Sequence, residues 1–196
     1  MEQPKLIIIG GANGSGKTTL AREFVLVDGI EYLGADEIAR ELNPENPENE
    51  AISAARLFSQ RLEDYLANRK SVLVESTLSG LSLRKHLATA KTQDFEITIL
   101  FVYLDSPELC IERVAARVAK GGHHVPAEDI RRRFKRANIN FWNVYKNLAD
   151  DWSLFYNTGG KVSQIAEGVL ENIAILDEKE YQRWLKLTEM QTSKLN

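Results

Sequence analysis

The chain is predicted to fold as an α/β protein, a parallel sheet sandwiched by helices, and three observations carry that expectation. The apolar run Leu6-Ile7-Ile8-Ile9 leads directly into the glycine-rich stretch Gly10–Thr19 and then into a helical pattern. Its apolar residues are continuous rather than alternating, as in a strand buried on both faces. Further β-branched and aromatic runs then alternate with amphipathic stretches of helical period, which is the signature of a sheet covered on both sides. The 196 residues suffice for one such domain, 1–196, with a full core and a small lid.

Each element has its own justification. Lys5–Gly10 is the first strand and Lys17–Leu26 the first helix, with Ile30–Leu33 a short second strand. Gly34–Leu42 reads as a short helix with acids in its first turn, broken by the two prolines of Asn43–Glu48. A long helix over about Asn49–Asn68 places Ile52, Ala55, Phe58, Leu62, Tyr65 and Leu66 on one face. Ser71–Glu75 is the next strand, Ser79–Lys91 is helical, and Glu96–Leu104 is a strand rich in β-branched and aromatic residues. Asp105-Ser106-Pro107-Glu108 caps the following helix, with Pro107 suited to its first turn; that helix runs to about Lys120 and ends at Gly121-Gly122. After His123-His124-Val125-Pro126 a second long helix spans about Ala127–Leu148. Trp152–Tyr156 is a strand, Asn157-Thr158-Gly159-Gly160 a tight turn into Lys161–Ala166, and Glu178–Leu187 a closing helix.

Composition narrows the function classes. A net charge of −3 gives no support to wholesale nucleic-acid binding. A single cysteine, Cys110, excludes an intramolecular disulfide or a cysteine metal cluster. No run approaches the length of a membrane span, and the first strand begins too early to leave room for a signal peptide. The expectation is a cytoplasmic protein with no membrane or nucleic-acid partner.

The glycine-rich stretch matches Gly-x-x-x-x-Gly-Lys-[Ser/Thr] at Gly11, Gly16, Lys17 and Thr18. Glycines let successive backbone N–H groups of Gly11, Ala12, Asn13, Gly14, Ser15 and Gly16 turn into one anion-sized cavity, and the helix begun at Lys17 adds the positive end of its dipole. Lys17 is placed to reach phosphates, and the hydroxyl of Thr18, next to Thr19, to ligate Mg²⁺. The strand before and the helix after supply the context that the motif requires.

Ligands of open α/β sheets bind outside the carboxyl ends of the strands. Asp36, Glu75 and Asp105 fall where other strands reach that edge. Asp36 is read as the acid that orients or deprotonates a phosphoryl acceptor, and Glu75, beside Ser76 and Thr77, as part of a polar cluster ill-suited to a core. Asp105, in a capping position, is read as structural. At 100° per residue, Arg113 and Arg117 lie opposite the stripe of Ile111, Val114, Ala115 and Val118. On the next helix Arg132 and Arg136 lie opposite Ile130, Phe134 and Ala137, with Arg131 and Arg133 at the flanks. Two arginine faces joined by a glycine-containing turn make a lid, about 113–136, able to neutralise charge on a transferred phosphoryl group. His123-His124 lacks the spacing of a helical zinc site and reads as a hinge or lid contact; His86 reads as helix surface. Trp142, Trp152 and Trp184 read as packing anchors.

Taken as an ordered set, Gly11–Thr19, Ala35-Asp36-Glu37-Ile38-Ala39, Glu75–Gly80, Arg113-Val…Arg117-Val…Gly121-Gly-His, Val125-Pro…Ile130-Arg-Arg-Arg and Phe155–Gly159 resemble the zeta-toxin-like small P-loop kinases. The resemblance is particularly to the compact bacterial subgroup of predicted ATPases or kinases, and it covers nearly the whole chain. The resemblance implies a P-loop NTPase of the nucleoside-kinase-like type with an arginine-bearing lid, ATP as donor and Mg²⁺ as its partner. It places the acceptor-activating acid at Asp36, acceptor contacts at Glu75 and Thr77, and phosphate-binding arginines, including Arg113, Arg117 and Arg132, around the lid. Zeta toxins phosphorylate a sugar hydroxyl of UDP-N-acetylglucosamine and are held off by an antitoxin. They carry an arginine two residues beyond the threonine matched by Thr77, where this chain has Ser79, a difference that argues against the UDP-sugar. The expected activity is γ-phosphoryl transfer from ATP to a hydroxyl of a small metabolite, a nucleotide sugar being one candidate. The rivals are a nucleotide-dependent ATPase or switch acting through a protein partner, and the toxin of a toxin–antitoxin pair.

Overall fold

A computed structural model describes residues 3–28, 30–159, 161–169 and 172–192. Its strands are β1 (Lys5–Gly10), β2 (Glu31–Gly34), β3 (Val72–Ser76), β4 (Glu96–Tyr103), β5 (Asp151–Thr158), β6 (Lys161–Val169) and β7 (Asn172–Ile175). The helices are α1 (Lys17–Asp28), α2 (Ala35–Leu42), α3 (Ala51–Ala67), α4 (Leu83–Thr92), α5 (Pro107–Val118), α6 (Ala127–Asn140) and α7 (Glu178–Thr192). They build one sheet in the order β2-β3-β1-β4-β5-β6-β7. The first five strands of that order are parallel, as expected. The last two turn back: β6 runs antiparallel to β5, and β7 antiparallel to β6. β7 lay beyond the sequence expectation: it is only four residues long, and Ile173 and Ile175 are exposed on it instead of packing into the core. Of the expected turn at Asn157–Gly160, Gly160 lies outside the described residues.

Alternation along the pleat sorts the core into two layers. Ile7 and Ile9 of β1 and Leu73 of β3 pack with Leu20 and Ala21 of α1 on one face. Leu6, Ile8, Val72 and Val74 face the other way, against α2, α3, α4, α6 and α7. The tryptophans anchor that second layer. Trp184 is fully buried, stands edge-on to Trp142 and Phe141, and donates its indole N–H to Asn138.

Two elements differ from expectation for local reasons. The helix predicted over Ala127–Leu148 leaves α geometry after Asn140, continuing as a π turn at Phe141–Tyr145 and a 3-10 turn at Lys146–Leu148. The wider turn lets Phe141 and Tyr145 both sink into the core, with Phe141 stacked on Phe101 at 4.3 Å. The helix predicted from Ser79 begins at Leu83 instead. Leu78 adopts φ 53, and it does so while buried against Gly10, where any Cβ would sit 2.4 Å from the Leu78 Cδ1. That left-handed residue keeps the segment after β3 a loop.

The register sets the site. Glu75 pairs with Ile9 on one side and Gly34 on the other, so the ends of β1, β2 and β3 finish together at one edge. The glycine-rich loop, the start of α2 and the polar residues after β3 therefore share one cleft.

Candidate active site

The loop between β1 and α1 is held by its own backbone and by a residue from across the sheet. Gly11 sits at φ +142, and a Cβ there would lie 2.2 Å from the Val102 carbonyl oxygen. Gly16, at φ +105, would meet the Asn157 amide nitrogen at 2.3 Å. That amide donates to the Ser15 carbonyl oxygen at 2.8 Å, so the end of β5 clamps the loop. The sequence marked Asn157 as a turn residue and as part of the stretch Phe155–Gly159 in the family resemblance, without a role; its role as a clamp depends on β5 pairing beside β4, which no local pattern encodes.

Lys17 is almost fully buried. Its ammonium donates to the Ala12 carbonyl oxygen at 3.0 Å and stands 3.9 Å from a carboxylate oxygen of Glu75. The other Glu75 oxygen accepts from the Tyr32 hydroxyl at 2.8 Å. Burial first, and the Glu75 charge second, push the Tyr32 ionisation well above the ordinary tyrosine range, so the hydroxyl stays a neutral donor. The Ser15 hydroxyl is buried in the loop without a partner, while Thr18 and Thr19 are exposed at the start of α1. An unsatisfied donor, a lysine and open hydroxyls around a backbone cradle fit a nucleotide phosphate chain, and the exposed Thr18 hydroxyl is one that could ligate a metal ion beside it.

A cavity of about 470 Å³ opens beside this loop, of the size that small-molecule sites have. Asn13, Lys17, Asp36, Glu75, Thr77 and Arg133 all line it. Asp36, in the first turn of α2, is exposed there, and its carboxylate makes no hydrogen bond or ion pair among the described residues. The hydroxyls of Thr77 and Ser79 lie 2.9 Å apart in the same wall.

The arginines divide. Arg133 lines the cavity and donates to the Asn13 side-chain oxygen at 3.2 Å, tying α6 to the phosphate loop. Arg132, the residue singled out in the sequence, is turned away. It pairs with Asp129 at 2.8 Å, is more than half exposed, and does not line the cavity. The flank of the helix, not the face opposite the apolar stripe, looks onto the loop, because α6 packs with its Ile130–Phe134 edge beside Ala12. Arg113 donates to the Asn157 carbonyl oxygen at 3.1 Å and Arg117 to the His123 carbonyl oxygen at 2.8 Å. Both line a shallow groove with Lys120 and Gly121, outside the main cavity. His123 lines the cavity itself and lies 3.9 Å from Glu48.

His86 corrects its sequence reading. It is buried, in the stripe Leu83, His86, Leu87 and Ala90 of α4, a three-four spacing that could have revealed it. Asp105 is structural by a different route from capping. Ser106 caps α5 through Leu109, while Asp105 accepts from the Tyr156 hydroxyl at 2.6 Å and pairs with Arg183 at 3.1 Å. Cys110 is buried, which pushes its thiol up to about 12 and removes it as a nucleophile.

Sheet order, loop and cleft together define a nucleotide-binding, kinase-like P-loop domain. The chain belongs to the AAA_33 family, described as an AAA domain, whose model matches residues 6–138. An uncharacterised protein of Haemophilus influenzae is 36% identical over 129 residues, 65% of this chain and 90% of its own length. A cytidylate kinase of Archaeoglobus fulgidus is 28% identical over 181 residues, covering 85% of this chain and 91% of that protein. Among solved structures, AvrRxo1-ORF1 in complex with AvrRxo1-ORF2 superposes with a TM-score of 0.73 at 17% identity over 95% of this chain. The chain spans only 64% of that protein's length. The PezAT toxin–antitoxin system of Streptococcus pneumoniae gives 0.63 at 16% identity over the whole chain and 88% of the other. At such identities the two structures show a shared fold. No helix among the described residues is long and apolar enough to cross a membrane.

Proposed function

We propose that the protein is an ATP-dependent kinase that phosphorylates a hydroxyl of a small metabolite, a member of the zeta-toxin-like group by fold and site. The observation that carries this reading is the meeting of Lys17 and Glu75, 3.9 Å apart, in the wall of a cavity that also holds Asp36, Thr77 and Arg133. A switch or ATPase acting only through a partner has no use for such a chamber. Two carboxylates, Asp36 and Glu75, also favour a hydroxyl acceptor over a phosphate, which they would repel.

Bound Mg-ATP would supply the γ-phosphoryl group. The loop Gly11–Gly16 cradles phosphates with its N–H groups, Lys17 leaves the Ala12 carbonyl oxygen to meet them, and Thr18 offers its hydroxyl to the metal. Asp36 receives the acceptor's proton or holds its hydroxyl in line, and Glu75 and Thr77 contact the acceptor. Arg133 neutralises charge from the α6 side. The segment about 113–136 serves as a lid: Gly121 at φ +82 gives it a turn, and Arg117 is folded back on its own connection through the His123 carbonyl oxygen. The likeness to AvrRxo1-ORF1 and PezAT, both solved within two-component systems, supports a cognate protein partner, such as an antitoxin, as a regulator.

Asp36→Asn tests the assignment. It keeps size and removes charge from an exposed helix start, so folding and ATP affinity are retained while acceptor phosphorylation falls by about 10²–10⁴. ATP affinity and ADP release are measured on one preparation with a panel of hydroxyl acceptors. Unchanged turnover reduces Asp36 to a helix-start acid, and lost ATP affinity moves it to the metal.

A further inference from the structure

The wall of the cavity contributed by α3 and α4 is chemically unlike the rest. The fixed charges that line the cavity, Lys17, Asp36, Glu75 and Arg133, come from the loop, α2, β3 and α6. From α3, α4 and the residue before α4 come alanines, Phe58, Leu83 and three polar groups, Ser59, Ser82 and His86. Those polar groups are arranged. His86 is more than nine-tenths buried, and its Nε2 lies 3.0 Å from the Ser59 hydroxyl. Glu63 stands 3.6 Å from the same nitrogen. A carboxylate on that side favours the proton on Nε2, which then donates to Ser59. The Ser59 oxygen is thus an acceptor toward His86, and its own hydrogen is available to a ligand. The arrangement is not a hydrolase triad, since the carboxylate and the serine share one ring nitrogen instead of taking one each. His86 Nδ1 is buried with no partner, so the ring is held through Nε2 alone. Ser82 precedes α4 and makes no capping bond, which leaves a second hydroxyl in the wall.

We infer that this wall recognises the acceptor, and that it takes an uncharged heterocycle bearing hydroxyl groups, in other words a nucleoside. Phe58 lines the cavity beside small alanines and gives an aromatic base an apolar surface to rest on, Ser59 donates to a ring carbonyl or nitrogen, and Ser82 adds a second contact. Among the described residues no lysine or arginine lines this wall to hold a phosphate on the acceptor, so the nucleoside is preferred to its 5′-monophosphate. His86 is a positioning residue for Ser59. The inference rests on the kinase reading above for its role in turnover, but not for binding.

The test measures binding without turnover. With Mg and the non-hydrolysable analogue AMP-PNP bound, cytidine, uridine, adenosine and guanosine are titrated calorimetrically, each beside its 5′-monophosphate. At least one nucleoside binds, and its monophosphate binds no more tightly. Ser59→Ala, a change that favours the helix, weakens that nucleoside about tenfold and leaves AMP-PNP affinity unaltered. His86→Leu has the same effect, and His86→Gln, which returns a donor near the Nε2 position, restores part of it. Failure of all four nucleosides to bind, tighter binding of the monophosphates, or an unchanged affinity in Ser59→Ala overturns the inference. ADP release driven by a non-nucleoside acceptor leaves the kinase reading standing and refutes the wall's assignment. A nucleoside bound as described, with no ADP release from ATP in the presence of any acceptor of the panel, supports the wall and refutes the kinase reading.

Discussion

The phosphate loop is one unbroken stretch, Gly10–Thr19, shaped by its own backbone and by what leans on it, whereas the chamber beside it is collected from α2, α3, β3, α4 and α6. In the loop, space is the constraint: the positions a Cβ would occupy at Gly11 and Gly16 already belong to Val102 and Asn157. In the chamber, chemistry is the constraint, with carboxylates from two strand ends, an arginine from a helix flank, and hydroxyls from α3 and α4. A donor site common to many phosphoryl transfers can be built locally. The acceptor site proposed above is instead assembled from long-range neighbours.

The largest effect expected from breaking this contrast is at Gly11. Gly11→Ala puts a methyl group 2.2 Å from the Val102 carbonyl oxygen at a φ of +142, which only glycine tolerates. The expected cost exceeds about 3 kcal/mol in urea unfolding, with nucleotide binding lost. Gly80 is the matched control in the chamber's loop, with open space around its Cβ position and no positive φ. Gly80→Ala stays within about 0.5 kcal/mol of the parent. Equal effects at the two glycines would abolish the distinction between a sterically determined loop and a tolerant wall.

A smaller effect separates two adjacent arginines. Both arginines stand near Asp129, Arg132 at 2.8 Å and Arg133 at 3.8 Å, but only Arg133 reaches Asn13 in the loop and lines the chamber. Arg133→Ala is expected to lower acceptor turnover by about tenfold to a hundredfold, the scale of a charge-assisted contact, and Arg132→Ala by less than about twofold. The reverse ranking would mean that α6 turns on closing over nucleotide and that the resting contacts mislead.

The same contrast governs what the sequence could disclose. The loop was legible because Gly11, Gly16, Lys17 and Thr18 act at fixed spacing within one turn. The strand-end logic led to Asp36, Glu75 and Asp105, of which the first two line the cavity while Asp105 pairs with Arg183 instead; Thr77, named through the family resemblance, lines the cavity beside Glu75. Helical periodicity identified the arginine-bearing arc of α6 but not which flank meets the loop, since that depends on how α6 rests on Ala12. His86 was read as surface because its ring is polar, although its spacing from Leu83, Leu87 and Ala90 put it in the buried stripe. The antiparallel edge was partly hidden: β7 has Ile173 and Ile175 in alternation, but a run of only four residues does not announce a strand by itself. Asn157 illustrates the general limit, for its clamp on Ser15 joins residues 142 positions apart.

The smallest effect falls where the two regions meet. Tyr32 lies over Gly34, leaving no room for a Cβ there, and its hydroxyl donates to the Glu75 carboxylate that faces Lys17. Tyr32→Phe removes one oxygen and keeps the ring, so the packing over Gly34 and the fold survive. One neutral-to-charged hydrogen bond is lost, and acceptor turnover should fall by about threefold to tenfold with ATP affinity unchanged. The variant also has a signature in stability against pH. Burial and Glu75 raise the ionisation of folded Tyr32 above the ordinary value of 10.0, while the unfolded side chain ionises there. Above about pH 10 the unfolded chain therefore holds fewer protons than the folded one, and stability declines as pH rises. Removing the phenol removes that share of the decline. The expected result is that parent and Tyr32→Phe differ in unfolding free energy by a constant amount below about pH 9, and that the difference moves in favour of the variant as the pH passes 10. A constant difference across the whole range would show that the hydroxyl titrates as an exposed one and does not hold Glu75. Equal turnover with a shifted alkaline limb would keep the hydrogen bond but confine Tyr32 to stability, leaving Glu75 to be positioned by Lys17 alone.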